Sequence, residues 1–208
     1  MRRSLVRFLA LPVAAAGVVS LGVFAAAPAF AQTITDTGGT AAVTEPYSYI
    51  AQLAKHGVVE IPFGKGVSVT NDPTTKTVTT TFTVTGGNAD TTTLSGALNL
   101  GGSLVIVHAA KWHRTRCVVL TDIAVSLDAD AIVATPKGST TQVPLLDIGG
   151  DVTFGGSPST GTETLTSDDL TVDPAGAAYL NKALDTTAFV AGETAGSLAA
   201  TWTLTESS

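Results

Sequence analysis

From Thr77 to Val84 the chain reads Thr-Val-Thr-Thr-Thr-Phe-Thr-Val, which puts Val78, Thr80, Phe82 and Val84 on one side of an extended segment and Thr77, Thr79, Thr81 and Thr83 on the other. A period of two belongs to a strand with one face buried and one face wet, and it is incompatible with a helix. The pattern recurs in Leu94, Gly96, Leu98 and Leu100, and in Ile123, Val125 and Leu127 set against Asp122, Ala124 and Ser126. It returns in Leu198, Ala200, Trp202 and Leu204, which makes Trp202 a core anchor. Glycine-rich turns separate these runs: Gly86-Gly87-Asn88, Gly101-Gly102, Pro136-Lys137-Gly138, Gly149-Gly150 and Gly155-Gly156. The fold expected is all-β, an antiparallel β-sandwich. No longer repeat of the solenoid or propeller kind recurs.

Two short helices interrupt the strands. Between Pro46 and Lys55, Tyr47, Ile50 and Ala54 fall at helical spacing, as do Tyr49 and Leu53, and Gly57 is placed to end the run. Further on, Asp173 suits a helix N-cap and Pro174 the first helical position. Ala177, Leu180 and Leu184 then form an apolar stripe that packs on an open end of the sandwich.

The beginning of the chain carries an address. Arg2, Arg3 and Arg7 precede an apolar run from Leu9 to Phe24, and Ala29-Phe30-Ala31 supplies a small-x-small cleavage site, so residues 1–31 read as a secretory signal peptide. Pro12 and Gly17 interrupt the run, which argues against a membrane anchor. The paired arginines also resemble part of a twin-arginine signal, leaving the export route open. Residues 32–43, rich in Thr, Gly and Ala without periodicity, read as a flexible leader, and 44–208 as a single sandwich domain. The expected product is secreted, extracellular or loosely held at the cell wall, with no membrane span after cleavage.

Cleavage would remove three of 11 basic residues and none of the 17 acidic ones, leaving a net charge of −9. Such a surface repels polyanions, so nucleic acid is not an expected partner. Cys117 is the single cysteine, which excludes an intrachain disulfide; among strand residues it reads as buried and inert. The motifs of catalysis are missing: no G-x-S-x-G elbow, H-E-x-x-H, P-loop, dinucleotide turn or C-x-x-C occurs. Asp128-Ala129-Asp130 lacks the rest of a calcium loop, and Asp168, Asp169 and Asp173 read as surface and capping residues. The protein reads as a binding or structural module and not as an enzyme.

One stretch departs from this background. His108, Lys111, Trp112, His113, Arg114 and Arg116 concentrate two imidazoles, an indole and three cations within nine residues. The alternation Leu104, Ile106, His108 brings His108 off an apolar strand face where the basic turn begins. An imidazole beside cations suits a flat anionic ligand; a hairpin tip with solvated charges and a rim histidine is the simpler reading.

Three stretches together carry a family resemblance. They are Pro46-Tyr47-Ser48-Tyr49-Ile50 with Ala54-Lys55-His56-Gly57, the strands from Ser95 to Leu127 that include His108, and the closing Ala175-Gly176-Ala177-Ala178-Tyr179-Leu180-Asn181 followed by Phe189 to Leu198. From about Thr44 to Leu204 the chain resembles the haem-transport-associated HtaA-type domain of secreted and wall-bound actinobacterial proteins. That resemblance implies a β-sandwich that binds haem through a tyrosinate on the iron, with a histidine supporting the phenolate. At matching positions, Tyr49 would be the iron ligand and His108 its hydrogen-bond partner. Lys111, Arg114 or Arg116 would then pair with the propionates, and Trp112 or Tyr47 would flank the ring. A haem-carrying protein is the partner implied. A wall-associated structural or adhesive sandwich without a small ligand is the alternative.

Overall fold

The computed structural model describes residues 34–91, 93–109, 114–157 and 161–206. The expected signal peptide lies outside them, as do Lys111, Trp112 and His113. Twelve strands and two helices follow one another as β1 (Ile34–Pro46), α1 (Tyr47–Lys55), β2 (Val58–Phe63), β3 (Val67–Asp72), β4 (Thr77–Gly87), β5 (Ala97–Leu100) and β6 (Ser103–His108). The second half comprises β7 (Arg116–Ser126), β8 (Ala131–Pro136), β9 (Val143–Gly149), β10 (Thr153–Ser157), β11 (Thr162–Val172), α2 (Pro174–Leu184) and β12 (Thr194–Glu206). All strand pairings are antiparallel.

The all-β expectation with two helices holds, but the sheet closes into a barrel and is not a sandwich. Eight strands run round in the order β7-β5-β4-β1-β12-β11-β9-β8, and β8 pairs back onto β7. β6 and β2 extend from β7 as a flap, while β3 hangs on β4 and β10 on β11. Alternation reports that one face is buried; whether the sheet folds onto a second sheet or onto itself depends on pairings far apart in sequence.

Closure depends on a bend in β7. Its first half pairs with β6 (Leu104↔Leu120) and its second half with β5 (Leu98↔Val125). Between them Asp122 takes a left-handed conformation (φ 49) and the register against β8 slips between Thr121 and Ala124. The inward set accordingly changes phase, from Val118 and Leu120 to Ile123 and Val125. Such a bulge turns the strand sharply enough to serve two neighbours along one edge.

The segment read as a leader contributes β1, which runs between β4 and β12 with Ala41 opposite both Phe82 and Ala200 and fully buried. Its small residues hide the period, because close packing there selects against bulk. At Gly39 a Cβ would run into the Thr201 carbonyl of β12. Two smaller expectations also change. Leu94 is not in a strand but in a turn, exposed, with φ 53, and Cys117 faces outward and is exposed.

The barrel interior is filled by Trp202, Leu98, Leu120, Leu165, Leu170 and Leu198, none more than 2% exposed. Each such side chain contributes roughly 1.5–3 kcal/mol through removal from water. α2 forms as its sequence indicates: Asp173 Oδ1 accepts from the backbone N–H of Ala175 (2.6 Å) and Gly176 (2.8 Å), and Ala177, Leu180 and Leu184 are buried. The helix packs closely on β9, where a side chain on Gly176 would collide with the Pro144 carbonyl.

Candidate functional site

A cavity of about 280 Å³ lies under α1, bounded by the inner faces of β2, β4 and β6, with Leu180 of α2 and Phe189 contributing from across it. Its walls are aliphatic and aromatic except at four residues, Glu45, Tyr49, Glu60 and Thr80. The volume falls near the lower bound of ligand pockets, which span roughly 300–1,000 Å³.

Helix α1 delivers Tyr49. Pro46 holds an extended conformation at the N-cap, and the i, i+4 pair Tyr49 and Leu53 then turns inward to 4% and 2% exposure. The helix stops where Gly57 (φ 73) donates its N–H to the Ala54 carbonyl at 2.9 Å. A side chain there would crowd the Ala109 carbonyl, so the glycine lets the chain reverse directly into β2. On β2, Val58, Glu60 and Pro62 occupy one side, while Val59, Ile61 and Phe63 on the other are each more than 40% exposed.

The electrostatics of this cavity are acidic. Burial first, then the charges of Glu60, Glu45 and Glu193, push the Tyr49 phenol above its ordinary range. Glu45 is held well above the usual carboxylate range by burial, by the charge of Glu60 and by a hydrogen bond with it. Burial raises Glu60 as well. No lysine or arginine lines the cavity among the described residues. Tyr49, 4% exposed, presents a hydroxyl-bearing ring to this largely apolar chamber.

Of the described residues expected at a binding site, Tyr49 alone lines this cavity. His108 ends β6 opposite Val58, and its Nδ1 lies 2.8 Å from the Leu184 carbonyl at the C-terminus of α2. Because a carbonyl only accepts, Nδ1 carries the proton and donates it there. Tyr49 sits in the first turn of α1, whereas His108 lies beside Gly57, beyond the last turn of that helix. Tyr47 donates its hydroxyl to Asn71 Oδ1 at the surface. Arg116 reaches Asp185 at 3.2 Å, both side chains more than half exposed, and Arg114 is exposed. Lys111 and Trp112 lie outside the described residues.

Glu45, Glu60 and Phe189 were not legible as site residues. Glu60 interrupts the apolar run Val58-Val59-Glu60-Ile61-Pro62-Phe63, an anomaly that signals a special environment but not which face it occupies. Phe189 is fixed by a two-bond clamp: Asn181 Nδ2 donates to its carbonyl (2.7 Å) and its N–H donates to Asn181 Oδ1 (3.1 Å). The adjacent Ala188 carbonyl accepts from Gln52 Nε2 of α1 at 2.8 Å, so the segment after α2 ties both helices together around the cavity.

A closed antiparallel barrel with a helix laid over a mostly apolar chamber defines a β-barrel module with an internal cavity. The fold is HtaA-like: the chain is similar to the C-terminal domain of HtaA from Corynebacterium glutamicum, with a TM-score of 0.55 and 12% sequence identity over 83% of this chain and 99% of that one. No protein-family model matches the sequence, and no curated protein matches it. Among the described residues no helix is long and apolar enough to cross a membrane.

Proposed function

We propose that this protein is a secreted, non-enzymatic haem-binding or haem-relay module in which Tyr49 supplies a phenolate to ferric iron inside the cavity beneath α1. The observation that carries this reading is Tyr49, 4% exposed, lining a chamber whose other walls are mostly apolar. Ferric haem supplies, when bound, a Lewis acid that favours the phenolate and so offsets the burial and negative charge that otherwise keep the phenol protonated.

The residues present fit a porphyrin in two respects. The walls suit an apolar macrocycle, and the donor is a hard anion suited to ferric iron. They also limit how it would sit. With no lysine or arginine among the described residues lining the cavity, propionates gain nothing from those walls and belong in solvent. His108 Nδ1 is engaged by the Leu184 carbonyl, which ties the end of β6 and the cavity wall it carries to α2.

Titrating the secreted protein with hemin tests the assignment. A Soret band shifted from that of free hemin is expected, with a phenolate-to-iron charge-transfer band that disappears in Tyr49→Phe. A spectrum unchanged by that substitution removes Tyr49 as the ligand. No spectral change on mixing leaves the structural or adhesive alternative.

A further inference from the structure

We propose that Glu45 and Glu60 set the charge selectivity of the cavity: they favour a macrocycle whose centre is positively charged and turn its carboxylate edge outward. This rests on the reading of the cavity as a porphyrin site and adds the discrimination made within it.

Glu45 ends β1 and Glu60 lies on the inner side of β2, so two distant segments bring their carboxyl groups together on one wall. Among the described residues they are the only acidic ones lining this chamber and no lysine or arginine lines it, and Tyr49, 4% exposed, lines it with them. Setting two half-buried carboxyl groups together without a cation opposes folding, whereas Gln at either position would fill the same volume with less penalty. Their place in the same chamber as Tyr49 is explained by a ligand that brings positive charge to that spot. In an apolar enclosure the attraction for such a centre is several times stronger than in water, and so is the repulsion of a ligand carboxylate. A positive centre is drawn toward Tyr49 while an anionic edge is expelled.

Three protoporphyrins of nearly identical shape separate centre charge from size: the gallium(III) complex with a positive centre, the zinc(II) complex with a neutral one, and the metal-free ring. Fluorescence titration of the parent protein should rank gallium(III) tightest, by about tenfold or more over zinc(II). In E45Q/E60Q that preference should shrink about tenfold, with zinc(II) and metal-free affinities held or improved. An unchanged gallium-to-zinc ratio in the variant overturns the proposal and leaves Tyr49 coordination as the source of any preference, with the porphyrin site intact. Failure of all three to bind the parent overturns the porphyrin reading itself. Glu→Gln is nearly isosteric; should the double variant not fold, E60Q alone is held to the same ratio.

Discussion

His108 Nδ1 donates to the backbone carbonyl of Leu184 at 2.8 Å, joining the end of β6 to the last turn of α2 across 76 residues of chain. The bond satisfies one of the carbonyls that a helix C-terminus leaves unpaired, and it fixes the flap against the barrel. His108→Ala should therefore lower stability by about 1 kcal/mol, read as a fall in Tm, while the hemin spectrum keeps its charge-transfer band. Loss of that band with an unchanged Tm would return His108 to the ligand site.

The two hydrogen bonds at Asp173 set the start of α2. Asp173→Ala removes both acceptors and should cost about 1 kcal/mol in chemical denaturation, while Asp173→Ser should recover most of it. Because α2 also contributes Leu180 to the cavity wall, hemin affinity is expected to fall less than stability does.

Gly176 leaves no room for a methyl group against the Pro144 carbonyl. Gly176→Ala must push α2 off β9, and a penalty of about 1–3 kcal/mol is expected from overpacking despite the higher helix propensity of alanine. A stabilised variant would contradict the close approach of helix and strand.

The acid pair gives stability a pH dependence of definite sign. Burial raises both Glu45 and Glu60 in the folded protein, and the charge of Glu60 with its hydrogen bond raises Glu45 further, so the native state keeps a proton that the unfolded chain releases. Their contribution is complete below the ordinary carboxylate value of 4.5 and is lost as pH rises through the raised values. Tm should decline across that window, and the decline should flatten in E45Q/E60Q. A parallel decline in parent and variant would place the effect elsewhere.

Local physics made much of this protein readable in one dimension. The strand alternation at Val78 to Val84 and at Leu198 to Trp202, the Asp173-Pro174 helix start and the stop at Gly57 all depend on neighbours within a few residues, and all stand in the structure. Tyr49 was legible too, since its spacing from Leu53 marks a buried helical pair.

What the chain could not disclose along its length depends on long-range pairing. Whether β8 returns to β7 to close the barrel is decided by residues that are neighbours only after folding, and the strand nature of 34–43 was hidden because Gly and Ala there answer to the close approach of β12. The same holds for the site. Sequence proximity grouped His108, Arg114 and Arg116 into one basic cluster, but the fold spends them on Leu184, solvent and Asp185, and gathers Glu45 and Glu60 around Tyr49 instead. Periodicity is fixed by backbone geometry within each element, whereas the membership of a cavity is fixed by which elements meet.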